Sequence, residues 1–462
     1  MARIAFVDTF SGIKIGIFYL SSVLKNLGHN VDIFLEPFEE DFLGTLKEFN
    51  PDFVGFSSFL GQEVNVIQMF SKIKETFPEA KTVQGGPSVV IYSDLIYHPS
   101  IDFIIKGDGE DSFPQLIDLY TNKGDLNIVP GLMWKKDDQI VDNGNAPLIS
   151  DFGAFPSADR DLIKRYPALI SERTKPFLMT RGCPYPCTFC GTATINNYFR
   201  KNKLGKHFRY GAVEKIINEI KYVRDNYGCE WVQFHDATFN ANSNFVKDFL
   251  KTYAKEKLPP FYCNIRSEKI TEEIVKLFKE AGCDKITIGI QSGSSRIRKE
   301  LSGREKQTNE NILEACHLFN KYKIRVGLDL IFGWPGETIE DGLKTIELAK
   351  KAKVERCNCN VMIYYPDAPI TQYAYENGFL EEFPDVFDID GLSNPFGIPL
   401  KNTPDINKLI NLDRLVTFFI YNKIGSIKWV QNFMLNRKPN RFYLLIKNYP
   451  NLKRNLKYSS RN

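Results

Sequence analysis

The sequence predicts an α/β chain of three structured parts: a doubly wound parallel sheet, a partial (β/α)6 barrel, and a mainly helical carboxyl-terminal region. Three observations predict it. Short apolar runs alternate with amphipathic segments from residue 2 to about 120, the alternation resumes from 176 to about 375, and the remainder is basic with helical apolar spacing. A chain of 462 residues exceeds one compact core, and its segments read as 1–125, a connector at 126–175, then 176–375 and 376–462. With 43% hydrophobic and 25% charged residues, no large part is expected to be disordered.

In the first segment, residues 4–7, 31–35, 53–56, 82–83 and 103–105 read as strands, with helices such as 15–27 and 64–77 between them. Such a series gives a parallel, Rossmann-like sheet with a crevice at its strand ends. The residues at those ends are small or flexible: Asp8-Thr9-Phe10-Ser11-Gly12, Ser57-Ser58, Gln84-Gly85-Gly86-Pro87 and Lys106-Gly107-Asp108-Gly109-Glu110. Glycines and short hydroxyls let a backbone approach a large flat ligand, although turns use the same residues for conformational reasons. In the connector, 127–134 and 139–141 read as a hairpin, and 147–158 as an extended linker without chemistry.

The core segment repeats strand and helix six times. Strands are expected at 177–179, 231–234, 261–265, 286–290, 326–332 and 359–363, with helices at 213–227, 245–256, 272–281, 309–322 and 339–352. Six units suit a TIM-like barrel that is open on one side. After the first strand comes a loop with Cys183, Cys187 and Cys190 spaced Cys-x3-Cys-x2-Cys. Thiolate is the soft ligand of iron–sulfur clusters, which usually take four; three this close can hold three irons of a cubane and leave the fourth open. A structural zinc site wants four ligands, usually in pairs, and the later close pair is Cys357-x-Cys359. A disulfide framework does not suit a chain of this length without a secretory signal.

With aromatic Phe189 before its last cysteine, this loop resembles the Cys-x3-Cys-x-aromatic-Cys loop of radical S-adenosylmethionine (SAM) enzymes. Other strand ends resemble the same family. His235-Asp236-Ala237-Thr238-Phe239 is similar to its Asp-Asp-x-Phe segment, with His235 in place of the first acid. Gly289-Ile290-Gln291-Ser292-Gly293-Ser294 is similar to Gly-x-Glu-Ser-Gly-Ser, with Gln291 keeping the size of Glu but not its charge. Gly333-Trp334-Pro335-Gly336-Glu337-Thr338 and Tyr364-Tyr365-Pro366-Asp367-Ala368-Pro369 resemble Gly-x-Pro-Gly-Glu-Thr and Tyr-Pro-Gly-Thr-Pro. The resemblance implies a [4Fe–4S] cluster on Cys183, Cys187 and Cys190. It also implies SAM held by Phe189, Asp236, Gln291, Ser292, Ser294 and Gly333, with Arg266 pairing with its carboxylate. The Gly333 segment reads equally as a helix start with an acidic first turn, and Arg266 as a surface ion pair.

The first segment resembles the cobalamin-binding domain of cobalamin-dependent radical SAM enzymes, which assigns Ser57, Ser58, Gly85, Gly86, Gly107 and Glu110 to the corrinoid. Many cobalamin proteins carry Asp-x-His-x-x-Gly after the first strand, the His ligating cobalt from below. Residues 8–12 hold no His, and neither His29 nor His98 occupies that place, so the resemblance implies cobalamin without a His lower ligand. The implied activity is methyl transfer to an unactivated carbon through a 5′-deoxyadenosyl radical, on a small-molecule or peptide substrate, with flavodoxin or ferredoxin as reductant. The alternative within the class is a rearrangement or oxidative cyclisation. No individual catalytic residue is assigned. No cysteine precedes Cys183, which disfavours a methylthiotransferase, whose second cluster sits on amino-terminal cysteines. From another class, a zinc-stabilised protein could use a basic tail to hold nucleic acid; reconstituted with metal it would be colourless, whereas an iron–sulfur protein is brown.

The formal net charge of +4 hides an asymmetry: from 401 onward thirteen Lys and Arg face only Asp405 and Asp413, so the preceding chain is net acidic. Segments 415–421 and 429–435 read as helices packing on the barrel. Residues 437–461 read as a solvated basic face, or as a surface for an anionic substrate or membrane; nucleic acid ranks last because no RNA-binding motif accompanies them. Cys357 and Cys359 alternate onto one face of the sixth strand, open to the barrel by spacing alone. Like Cys229, Cys263, Cys283 and Cys316, they read more naturally as small core residues. No apolar run reaches the roughly 20 residues of a membrane span and no cleavable leader follows Met1, so a cytoplasmic protein with reduced thiols is expected.

Overall fold

The computed structural model describes residues 1–384 except Asp138, and beyond them 400, 403, 405–422, 424–439, 442–443 and 446–447. Most of the expected basic surface at 437–461 lies outside the described residues. The chain gathers into two compact units: 1–184 with 191–236, and 185–190 with 237–384 and the later described residues.

The first unit opens with β1 (Arg3–Asp8), α1 (Ile15–Asn26), β2 (Asn30–Leu35), α2 (Phe42–Phe49), β3 (Phe53–Ser57), α3 (Glu63–Thr76), β4 (Lys81–Gly85), β5 (Phe103–Ile105), α4 (Gly109–Thr121), β6 (Leu132–Lys136) and β7 (Gln139–Asp142). These seven strands form one sheet in the order β2-β1-β3-β4-β5-β6-β7. The five expected strands pair in parallel, and the order reverses between β1 and β3, the switch point at which such sheets open a crevice. Ile4, Phe6, Ile33 and Phe53 are buried on one face, and Ala5, Val7, Val54 and Phe56 on the other. Burial on both faces is why these strands read as unbroken apolar runs. The hairpin expected in the connector forms, but β6 pairs antiparallel with β5, so it extends the sheet instead of standing apart. Helix α2 was not expected; Asp41 caps it by accepting the Gly44 N–H, and Asn50 in the left-handed region ends it.

The unit continues through α5 (Pro167–Ser171), β8 (Thr174–Phe177), β9 (Thr180–Arg181), α6 (Gly191–Lys201), β10 (Arg209–Tyr210), α7 (Val213–Tyr227) and β11 (Trp231–Phe234). The first barrel strand, expected at 177–179, lies three residues earlier. The chain leaves the sheet at Phe177, after which the Met179 carbonyl accepts from Gly211 N–H at 2.8 Å and β9 pairs antiparallel with β10.

The second unit contains α8 (Ser243–Lys255), β12 (Phe261–Ile265), α9 (Glu272–Glu280), β13 (Cys283–Gln291), α10 (Asn309–Lys321), β14 (Arg325–Phe332), α11 (Ile339–Ala352), β15 (Arg356–Val361), α12 (Pro369–Glu376), α13 (Ile406–Tyr421) and α14 (Lys428–Leu435), with a π-helical turn at Ile297–Leu301. A six-stranded sheet runs β15-β14-β13-β12-β11-β8, the half-barrel the sequence predicts. Asn242, Thr271, Thr308 and Thr338 accept backbone N–H groups at the starts of α8, α9, α10 and α11, which explains why those starts were readable. The sixth strand is β15, three residues ahead of the expected 359–363. Its Cys357 and Cys359 are buried on the helix side: Tyr421 of α13 lies 3.9 Å from Cys357, and burial pushes the Cys357 and Cys316 thiols up to about 12. They belong to the core and not to the barrel interior.

Among the described residues no helix is long and apolar enough to cross a membrane.

Candidate active site

The loop that carries the three cysteines is held differently at its two ends. Cys183 belongs to the first unit, and Cys187 and Cys190 to the second; all three are free thiols. In the second unit, residues 185–190 rest on the π-helical turn. Thr188 N–H donates to Ser302 O at 3.4 Å, its hydroxyl donates to Leu301 O, and Ile370 N–H donates to Thr188 O at 3.1 Å. Gly303, at φ 68, lets the turn come so close that a Cβ would stand 2.7 Å from Pro186 O. Phe189 packs edge-on against Trp334, with ring centroids 5.3 Å apart, and the Arg304 guanidinium lies 5.7 Å from the Phe189 ring.

Two guanidiniums of the second unit face Cys187 and Cys190. Arg266, buried at the end of β12, donates to Cys187 Sγ at 3.4 Å, pairs with Glu268, and stacks 4.0 Å from the Tyr185 ring. Arg304, also buried, donates to Gly289 O at 2.5 Å and contributes positive potential at Cys187 and Cys190. Among the described residues no three His, Cys, Asp or Glu side chains, the three cysteines included, gather around one point. Soft sulfur donors beside buried cations suit an iron–sulfur cluster.

The other strand-end residues of the half-barrel are mostly engaged with protein. Ser294 Oγ donates to Asp341 at 2.7 Å, the Ser292 and Thr345 hydroxyls lie 3.4 Å apart, and a Cβ on Gly293 would meet the Thr345 Cα at 2.5 Å. Hydroxyls expected to face SAM therefore lock β13 to α11. The N–H groups of Gly333 and Trp334 both donate to the Glu337 carboxylate, at 2.6 and 3.1 Å, while the Tyr364 hydroxyl donates to Gly333 O at 2.8 Å. Glu337 is fully buried, which raises its pKa to about 8. Gln291 differs. It is buried, sits at φ 65 beside a register shift between β13 and β14, and brings its amide under Gly289. A left-handed, non-glycine backbone at a strand end is strain that functional sites retain.

In the first unit, Asp236 after β11 is fully buried and accepts the Met179 N–H at 3.1 Å and the Thr180 hydroxyl at 2.6 Å. Burial raises its pKa to about 6. It holds the strand leading into Cys183, while His235 beside it is exposed. Arg181, two residues before Cys183, donates to Asp108 at 3.1 Å and to Glu110, and lies 4.6 Å from the Phe152 ring. Arg209 donates to both carboxylate oxygens of Asp108. Glu110, expected at the corrinoid, is thus an ion-pair partner of the loop root. Sequence reasoning missed Arg181, Arg209 and Arg304, since their partners lie far away along the chain.

At the ends of β3 and β4, Ser58 Oγ lies 2.5 Å from Ser88 Oγ and accepts from Gln84 Nε2 at 3.2 Å. Gly86, at φ 92, lets the backbone pass so close that a Cβ would stand 2.6 Å from Ser58 O. Buried Gln84 Oε1 and Glu63 Oε1 have no hydrogen-bond donor among the described residues, and burial raises Glu63 to about 7. At the end of β1 buried Asp8 pairs with Lys14 at 2.7 Å, and Lys14 also donates to Ser57 O at 2.5 Å; two residues on, exposed Phe10 stands where the Asp-x-His pattern would put its His. His29 lies at the opposite end of β1, accepting from Ala2 N–H. Gly107, at φ 121, packs on Ala146. Acceptors without a donor beside a close-passing backbone suit a ligand rich in amide donors, as a corrinoid is.

Residues 4–117 match the B12 binding domain and residues 177–364 the Radical SAM superfamily. The chain is a radical SAM enzyme with an amino-terminal B12-binding domain. It is 27% identical over 382 residues to an uncharacterized methyltransferase of Pyrococcus horikoshii, covering 80% of each chain. It is 23% identical over 278 residues to an anaerobic magnesium-protoporphyrin IX monomethyl ester cyclase of Synechocystis, covering 59% of this chain and 53% of that one. Its fold matches the radical S-adenosylmethionine methyltransferase TsrM from Kitasatospora setae, solved with tryptophan substrate and a SAM analogue, with a TM-score of 0.72, 14% identity and full coverage of both chains.

Proposed function

We propose that this enzyme transfers a methyl group to an unactivated carbon of a small-molecule substrate, with Cys183, Cys187 and Cys190 holding a [4Fe–4S] cluster. The observation that carries the reading is the Cys-x3-Cys-x2-Cys loop, with two buried guanidiniums beside Cys187 and Cys190, in a chain that also carries a B12-binding domain. When bound, the cluster supplies the electron that cleaves SAM and the corrinoid supplies the methyl group. The protein's residues position these groups. Arg266 and Arg304 set positive charge beside Cys187 and Cys190, Asp236 and the Arg181 ion pairs hold the loop's root, and the π-helical turn seats its second half. Ser57, Ser58, Gly85, Gly86 and Gly107 line the path of the corrinoid, with Gln84 and Glu63 accepting from its amides. Phe10, standing where the pattern would put its His, would offer a bound corrinoid no imidazole from this segment. A protein reductant, flavodoxin or ferredoxin, supplies the electron, and Gln291 with its unusual backbone contacts SAM.

Anaerobic reconstitution tests this. Wild-type protein should bind iron and sulfide, turn brown, and form equal amounts of deoxyadenosine, S-adenosylhomocysteine and methylated product. Replacement of any of the three cysteines by alanine should remove the iron and all deoxyadenosine. A variant that keeps both refutes the assignment. The likeness to a cyclase favours a second reading, oxidative cyclisation, under which deoxyadenosine forms without S-adenosylhomocysteine.

A further inference from the structure

The strands of the half-barrel sheet that belong to the second unit, β12 to β15, have one apolar face and one polar face. Alternate strand residues point to opposite sides, and contacts fix which side is outer: Phe261 meets the rings of Tyr253 on α8 and Phe278 on α9, at 5.1 and 6.3 Å, and Cys357 lies by Tyr421 of α13. The intervening residues share the concave face. Register places Asn264, Thr287, Gly327 and Arg356 side by side, and one layer nearer the strand ends Gly289, Asp329 and Asn358. Gly327 verifies the sidedness, because a Cβ there would stand 3.4 Å from Thr287 Oγ1.

Two charges on this face lack a direct counter-ion. Asp329 on β14 accepts from Asn358 Nδ2 at 2.8 Å, but no described cation lies at ion-pairing distance; Lys285, Arg304 and Arg356 bear on it only from further away. Arg356 on neighbouring β15, one layer down, pairs with no described carboxylate. Both are half-buried. An unpaired acid and an unpaired cation among amide and hydroxyl groups are costly to cover with hydrocarbon and complementary to a ligand bearing both charges.

We infer that this face binds a small zwitterion, an amino-acid-like substrate whose amine meets Asp329 and whose carboxylate meets Arg356. The inference rests on the radical SAM activity proposed above and names its substrate class. The test uses full-length protein reconstituted with iron, sulfide and cobalamin, with SAM and dithionite, and measures deoxyadenosine formed above background. The probes are a mixture of the twenty amino acids, their N-acetyl derivatives, their α-amides, and squalene in detergent micelles.

The amino acids should stimulate formation, and the acetylated and amidated sets should do so at least about tenfold less well at equal concentration. Asp329→Asn should raise the amino-acid concentration for half-maximal stimulation by about tenfold or more, with iron content unchanged. Arg356→Met should abolish the preference for the acids over the α-amides. Stimulation by squalene alone, equal stimulation by the three nitrogenous sets, or stimulation by none overturns the inference. Absence of any deoxyadenosine at full iron occupancy removes the underlying activity, and the inference with it.

Discussion

At the ends of β3 and β4, Gln84 and Glu63 keep buried oxygens without a donor among the described residues, whereas at the end of β13 the hydroxyls of Ser292 and Ser294 are already closed on α11. Both regions are glycine-rich strand ends, and from sequence both looked like places for a ligand. The difference teaches that small residues after a strand serve two purposes. In the first sheet they leave acceptors open; in the half-barrel they let one backbone press on another, as Gly293 does on Thr345.

Four variants would break or sharpen that contrast. The largest effect belongs to the ion pairs at the root of the cysteine loop. Arg181→Met strands buried Glu110, while Arg209 still holds Asp108, and should cost about 3–5 kcal/mol by chemical denaturation. Adding Glu110→Gln should return part of that loss. Next, Gly293→Ala drives a methyl into the α11 backbone and should destabilise by about 1–3 kcal/mol or more without touching corrinoid uptake, read by absorbance on titration with hydroxocobalamin. Ser294→Ala removes one hydrogen bond to Asp341, about 1 kcal/mol, and should leave SAM affinity by calorimetry within about twofold. A large loss of SAM binding would show that the hydroxyl serves the ligand after all.

The smallest effect is one of pH. Glu337 is raised from its ordinary value of 4.5 to about 8, so the folded protein retains a proton that the unfolded chain releases. Stability should therefore fall as pH rises from about 4.5 to about 8 and level off above. Glu337→Gln should abolish that component, visible as a smaller drop in Tm between about pH 6 and pH 8.5 than in the wild type.

Where apolar periodicity was uninterrupted, the elements were legible to the residue: β11, β12, α7 and α11 lie where spacing puts them. Failures have physical causes. The strand β15 was misplaced because Arg356, Asn358 and Asn360 alternate with its buried residues, so that no apolar run marks its start. Helix α6 was not read from the sequence, because Thr192, Asn196 and Asn197 dilute its apolar face of Ala193, Ile195 and Phe199. The cysteine loop was legible from spacing alone. Its seat was not: Arg304, Arg181 and the π-helical turn have their partners far along the chain, and no local pattern announces one as distant as Asp108 is from Arg181.

The Asp108–Arg181–Arg209 set has its acid in the stretch matching one family and its bases in the stretch matching another. A chimera that grafts a relative's amino-terminal domain onto this core would inherit only half of the set. Shuffled combinations should thus express as folded halves with a mispaired seam unless positions 108, 110, 181 and 209 travel together.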